Sequence, residues 1–192
     1  MEGSLDMFLA FVFITIIVLQ RVIELIIAKR NAIWIKSKGG YEVGKNHYPY
    51  IVLLHTLFFI SLLIEVTTKE VVYTTWMLIP FLIFVVTQFG RIWALTSLGP
   101  FWNTRIMILP GASVIAKGPY RYMRHPNYFI VITEIAVIPL IFQAYWTAFI
   151  FSILNVVILS VRIKVEEKAL KEATNYSEIF GPFKGVYPEN RS

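Results

Sequence analysis

The chain has 192 residues, of which 57% are hydrophobic and only 16% charged, with a formal net charge of +6 and no cysteine. Soluble domains carry about 25% charged residues, so this composition excludes an ordinary soluble domain, a disordered chain and a disulfide scaffold. The missing cysteines exclude thiol catalysis, cysteine-ligated zinc and iron–sulfur clusters, and the positive charge belongs with a membrane surface rather than with nucleic acid.

A bilayer core of about 30 Å needs about 20 helical residues. The first apolar run covers 5–28. Its start lacks Lys and Arg, and no small-residue cleavage site follows, so it reads as a span and not as a cleavable signal peptide. Further runs cover 50–66 and 73–95. Two shorter ones, 129–142 and 146–161, meet at Gln143-Ala144-Tyr145 as a helical hairpin. The expected fold is an all-α integral membrane protein of about five transmembrane helices. It forms one domain over 1–192, with a cap built from 96–128 and 162–192.

Basic residues set the expected orientation. Lys29, Arg30, Lys36, Lys38 and Lys45 lie between the first two spans. Arg105, Lys117, Arg121 and Arg124 lie between the third and fourth, and Lys164, Lys168, Lys171, Lys184 and Arg191 follow the fifth. The opposite loops show only Lys69. The positive-inside rule then puts the N-terminus outside and the cap and C-terminus in the cytoplasm.

Charges within spans are costly and draw attention. Arg21 and Glu24 can pair on one helix, near its cytoplasmic end. Glu65 reads as interfacial, and Arg91 either snorkels or faces the cap. His55 reads as a hydrogen-bonded residue between helices. Glu134 either points into a polar interior or helps fix the cap. The Gly-rich stretch 39–49 reads as a structured loop packing on the cap.

The densest polar chemistry runs from Lys117 to Tyr128. Gly118 and Pro119 turn the chain, and Pro126 suits the first turn of the fourth span. That helix start offers free N–H groups and a partial positive charge, a site for a carboxylate or phosphate. Arg121, Arg124 and His125 add charge, and Tyr120, Tyr122 and Tyr128 offer flat faces to a ring. A basic aromatic anchor in the headgroup belt competes with this reading, and these residues alone leave both open. A second cluster, Arg162 to Glu167, continues the fifth span as a helix. Arg162 and Glu166 share a face, and Glu167 turns about 100° away. They form either a plain ion pair or a two-sided site. In the second case the carboxylate suits an ammonium or sulfonium and the arginine an anionic oxygen. No G-x-G-x-x-G after a strand, H-E-x-x-H or Walker sequence occurs, so a cofactor would bind between the helices and the cap.

Gly118-Pro119-Tyr120, Arg124-His125-Pro126-Asn127-Tyr128 and Arg162 with Glu166-Glu167 resemble the isoprenylcysteine carboxyl methyltransferase family, over about residues 96–185. Leu109-Pro110-Gly111 makes the chain most similar to its small bacterial members. The resemblance implies an integral-membrane methyltransferase using S-adenosyl-L-methionine and an oxygen acceptor. By position, cofactor contacts would fall on Ala112, Ser113, Val114, Ile115, Tyr120, His125, Pro126, Asn127, Tyr128 and Glu166. The substrate-side arginine would be Arg162, and the catalytic pair Arg162 and Glu166. Family members can carry a histidine where Ala112 stands, so a contact there would be main-chain or apolar. The acceptor would be a lipophilic compound reached from the bilayer: a prenylcysteine-like carboxylate, or the enol of a long-chain alkylpyrone. No metal and no nucleic-acid partner is expected. An NADPH-dependent membrane reductase of related architecture and a non-enzymatic lipid-binding protein are the alternatives. Phe180-Gly181-Pro182-Phe183 suggests a turn back to the membrane surface, as a lid or a packed tail.

Overall fold

A computed structural model of the chain describes residues 2–69 and 74–181. The expected turn at 180–183 therefore falls largely outside the described residues, as do Lys184, Arg191 and the first residue of the run 73–95. Six helices follow in chain order among the described residues: α1 (Glu2–Ser37), α2 (Tyr48–Thr68), α3 (Leu78–Leu98), α4 (Pro126–Ile141), α5 (Tyr145–Ala173) and the short α6 (Tyr176–Phe180). The protein is an all-α, multi-pass membrane protein. Four helices are long and apolar enough to cross a bilayer, and α4 is a shorter apolar helix. At 1.5 Å per residue, the 16 residues of α4 reach about 24 Å. That is less than a full bilayer core, but α4 packs between α3 and α5 and is buried on most sides. Pro126 opens it, as the sequence predicts. The break before α5 holds Gln143 at φ 55.

Large apolar side chains divide between two environments. Ile14, Ile17, Phe58, Leu62, Ile138 and Ile141 form the bundle core. Ile16, Leu19, Ile23, Val86 and Phe89 are exposed, which in a bilayer means facing lipid tails. Phe13 fastens α1 to α3 and the hairpin, with ring centroids 5.1 Å from Phe84 and 5.5 Å from Phe142.

At the cap end the structure adds something the sequence did not predict. The loop after α1 contributes a strand, β1 (Tyr41–Val43), which pairs antiparallel with β2 (Ile106–Ile108) in the register Val43↔Ile106. The 39–49 stretch thus joins the cap through a strand pair. A Cβ on Gly40 would lie 2.3 Å from Ile35 Cγ2 and 2.7 Å from the Ile108 carbonyl oxygen, so only glycine fits this approach. Ile106 and Ile108 pack on Ala169 of the α5 extension. Asn31 donates to the Trp102 carbonyl (2.7 Å) and Asn103 to that of Ala28 (2.9 Å), which stitches the cap to α1.

The far end gives Glu65 a definite role. It lies in the last turn of α2, is buried, and caps α5. Its carboxylate accepts from the N–H of Trp146 (3.2 Å) and of Thr147 (2.9 Å) and from the Thr147 hydroxyl (2.8 Å). The orphan donors at a helix start attract an acceptor and a negative charge, and nothing else in a bilayer would satisfy them.

Inside the bundle, four charged residues close on one another. Glu134 of α4 accepts from Arg21 of α1, from Arg91 of α3 and from Gln88 (2.7 Å). Glu24 accepts from Arg21 (2.8 Å), Arg91 (3.1 Å) and Gln20 (3.1 Å). Of the readings left open, Glu134 takes the polar interior, and Arg91 neither snorkels nor meets the cap but lies buried within this network. Two arginines meeting two carboxylates give no net charge, which makes burial tolerable. His55 bonds to the Ile51 carbonyl of its own helix (2.8 Å) rather than across helices.

Candidate active site

The site forms where α4 begins, where α5 leaves the bundle, and where the cap folds over both. Gly118 (φ 58) starts a single 3-10 turn, Gly118–Arg121. A Cβ there would meet Ser97 Oγ at 2.0 Å, so the turn sits tight against α3. This turn buries Tyr120 and leaves Arg121 and Tyr122 exposed on the outer surface. Arg121 and Tyr122 therefore add neither charge nor a ring face to the site.

Tyr128 is the centre of the arrangement. Its hydroxyl donates to Glu166 and accepts from Arg162 Nε (2.8 Å). Arg162 also gives Nη2 to the Thr104 carbonyl (2.6 Å), and its guanidinium carbon lies 5.8 Å from the Tyr128 ring centroid. Arg162 and Glu166 thus share a face, as their spacing predicts, but no direct ion pair joins them among the described residues. The tyrosine hydroxyl stands between them. Arg162 Nη1 and Glu166 Oε1 have no partner among the described residues.

Glu167, a quarter-turn round the helix, takes other partners. It accepts from Arg124 (3.4 Å) and Tyr176 (3.3 Å), and its Oε1 lies 3.1 Å from His125 Nε2. Arg124 also reaches the Phe180 carbonyl (3.2 Å), which ties α6 to the site. Burial and the Glu167 charge push the Tyr176 phenol well above its usual range. The α4 start is less open than the sequence predicts. Pro126 has no N–H, and the N–H groups of Tyr128 and Phe129 turn back to the His125 carbonyl (3.1 and 3.2 Å). Asn127 instead donates its side-chain amide to the Tyr120 hydroxyl (2.9 Å). Burial, then the Glu166 charge, raises the Tyr120 phenol far above its usual range, so it stays protonated.

Two cavities meet here. One, of about 90 Å³, is polar and cap-facing, with Tyr120, Arg124, His125 and Glu166 in its wall. The other, of about 300 Å³, is lined mainly by apolar side chains of α1 and α2, including Val18, Val22, Leu25, Ile51 and Phe59. Asn103, Asn127, Tyr128 and Arg162 line both. The structure therefore brings together Tyr120, His125, Asn127, Tyr128, Arg162 and Glu166. Pro126 is buried beneath them as the first residue of α4. Ala112, Ser113, Val114 and Ile115 line neither cavity. Ser113 is exposed, and the segment is anchored by bonds from the Gly111 N–H to the Ala173 carbonyl (2.9 Å) and from the Val114 N–H to Asn175 (2.8 Å).

Residues outside the sequence-derived set also enter the walls. Arg105 lines the polar cavity, pairs with Glu42 of β1 (2.7 Å) and lies 4.1 Å over the Tyr48 ring. Asn103 and Thr104 contribute through the chain just before β2. No local motif marks them; the β1–β2 pairing brings them in.

A polar pocket backed by an apolar one, the two joined at the buried Arg162, thus lies at the cap end of a membrane helix bundle. Residues 77–172 match the isoprenylcysteine carboxyl methyltransferase (ICMT) family. The chain belongs to that family, a family of membrane methyltransferases whose members use S-adenosylmethionine as methyl donor. It is 47% identical over 159 residues to uncharacterized protein YpbQ of Bacillus subtilis (strain 168), covering 83% of this chain and 95% of that protein. It is 29% identical over 135 residues to an uncharacterized protein of Haemophilus influenzae (strain ATCC 51907 / DSM 11121 / KW20 / Rd), covering 70% of this chain and 78% of that one. No solved structure matches the chain.

Proposed function

We propose that this protein methylates an oxygen of a lipophilic acceptor with S-adenosylmethionine, at the junction of the two cavities. The observation that carries this reading is that Asn103, Asn127, Tyr128 and Arg162 line both the polar and the apolar cavity. The polar cavity offers both signs of charge, Glu166 against Arg105, Arg124 and His125, and the ring of Tyr120. That donor set fits a ligand bearing an ammonium, a carboxylate and a flat base. When bound, S-adenosylmethionine supplies an electrophilic methyl group on a sulfonium sulfur.

The chain's own residues align and shield. Glu166 Oε1 receives the ammonium, and Arg124 and His125, already oriented by Glu167, face the carboxylate. Arg162, fixed by Tyr128 and Thr104, directs Nη1 at the acceptor oxygen and favours it as a carboxylate or enolate. An acceptor that arrives anionic needs no base. Val18, Val22 and Leu25 of α1 and Val52 of α2 line the larger cavity and are themselves exposed. The acceptor's chain therefore enters sideways from lipid between α1 and α2, and these walls keep water from the transfer point. The basic cap, read with the positive-inside rule, puts this chemistry at the cytoplasmic face. At the transfer point, either a prenylcysteine-like carboxylate or an alkylpyrone enol supplies the anionic oxygen that Arg162 favours.

Calorimetric titration of the purified protein with S-adenosylmethionine and, separately, NADPH tests the donor. We expect saturable binding of the first, lost in Glu166→Gln. Binding of NADPH in its place would point to the reductase alternative. Labelled methyl transfer to the lipid-soluble fraction, abolished in Arg162→Ala, tests the reaction.

A further inference from the structure

The acceptor cavity is not uniformly apolar. Arg21, Glu24, His55 and Arg91 also line it. His55, Arg21 and Glu134 border a small void beside it as well, which places them at one level. Six residues of α4 separate Tyr128 from Glu134, so this level lies about 9 Å deeper than the transfer point.

The bonding of these residues shows what they have left to offer. His55 Nδ1 lies 2.8 Å from the Ile51 carbonyl oxygen, which can only accept, so Nδ1 carries the hydrogen. The neutral ring then keeps a lone pair on Nε2, which has no partner among the described residues. Arg21 gives Nη1 to Glu24 and Nη2 to Glu134, leaving its Nε–H without a partner among them. One free acceptor and one free donor therefore border the same cavity. Because the two arginines and two carboxylates neutralise one another, this level does not call for an ion. A hydroxyl, which donates one hydrogen bond and accepts another, satisfies both groups.

Building on the methyltransferase reading, we infer that the acceptor carries a second, neutral oxygen function about 9 Å along its chain from the methylated oxygen, bound by His55 and Arg21. A plain alkyl or prenyl chain would leave both polar groups unsatisfied beside hydrocarbon, which costs free energy.

The test reads binding, with no methyl donor present. Three probes compete with a doxyl-labelled hexadecanoic acid for the protein in nanodiscs, with displacement read as recovered tryptophan fluorescence and corrected with empty nanodiscs. The probes are hexadecanoic acid, 8-hydroxyhexadecanoic acid, whose hydroxyl lies at about the required distance in an extended chain, and the 16-hydroxy isomer. A net hydrogen bond of ordinary strength predicts that the 8-hydroxy acid binds about fivefold tighter than the 16-hydroxy acid. In His55→Leu, where only Arg21 remains to bind the hydroxyl, that preference falls. Equal binding of the two isomers by the unmodified protein, or a preference undiminished in His55→Leu, overturns the inference. The isomer comparison needs no variant, so a misfolded substitution cannot mask the result. A preference without any methyl transfer would support this inference and fault the proposed reaction instead.

Discussion

Replacing Tyr128 with phenylalanine removes one oxygen and leaves the ring that packs at the start of α4. That oxygen is the link between Arg162 Nε, at 2.8 Å, and the Glu166 carboxylate. Hydrogen bonds to charged groups are worth about 1.5–3 kcal/mol each, so the gross loss is about 3–6 kcal/mol. Part of it returns, because Arg162 and Glu166 are four residues apart and can then meet directly, which in helices gives about 0.5 kcal/mol. Arg162 keeps its bond to Thr104. We expect a net loss of alignment of about 2.5–5.5 kcal/mol, which corresponds to a fall of roughly 70- to 10,000-fold in kcat/KM. The fall should appear mainly in kcat, since neither cavity loses its walls. The assay is transfer of a labelled methyl group in nanodiscs, with donor affinity measured separately by calorimetry. Tyr128→Phe within twofold of the unmodified protein would refute the idea that this hydroxyl sets the geometry. Pairing it with Arg162→Lys should give a loss smaller than the sum of the two, because both act on one unit.

Other perturbations check the parts that support the site. Glu134→Leu leaves Arg21 and Arg91 sharing the single carboxylate of Glu24 inside the bundle; breaking a buried pair costs about 3–5 kcal/mol, measurable as reduced resistance to denaturant in bicelles. If stability is unchanged, the network is solvated rather than buried. Glu65→Ala removes the acceptor for the first N–H groups of α5 and should cost about 1–2 kcal/mol, with Glu65→Gln losing less. The folded-state shift of the Tyr120 phenol is upward, so its stabilising contribution is complete below its unfolded value of about 10 and is lost as pH rises through the higher folded value. Absorbance titration should show at least two tyrosines fewer, Tyr120 and Tyr176, ionising near pH 10 in the intact protein than in detergent-unfolded chains, a difference smaller by one in Tyr120→Phe. Gly118→Ala, forced against Ser97 at a left-handed φ, should lower both stability and donor binding, read by thermal melting and calorimetry.

How much of this was legible beforehand depended on the range of the interaction. Pro126 at the first turn of α4, the break near Gln143 and the shared face of Arg162 and Glu166 follow from local rules of helix geometry, and the structure has them all. Helix ends were less legible. α1 runs on to Ser37 because no breaker follows its apolar run, and hydropathy marks where apolar residues stop, not where the helix does; the extension of α5 beyond its apolar run, by contrast, is as the Arg162–Glu167 cluster predicts. The β1–β2 pair was invisible, since three-residue strands carry too little alternation to register.

The roles of the charged residues were the hardest to read, and the reason is physical. A carboxylate in an apolar run announces a cost but not the partner that offsets it. Glu65, Glu134 and Glu166 look alike in sequence. One caps a helix from another span, one closes a neutral network across three helices, and one receives a tyrosine hydroxyl from α4. Each partner comes from a different helix, so only the packing of the bundle distinguishes them. The distinction also decides function. Glu65 and Glu134 are bonded through both carboxylate oxygens, whereas Glu166 keeps Oε1 without a partner among the described residues, in the wall of the polar cavity. In a chain where every buried charge needs an opposite, the carboxylate still lacking one is where a cationic ligand gains most by binding.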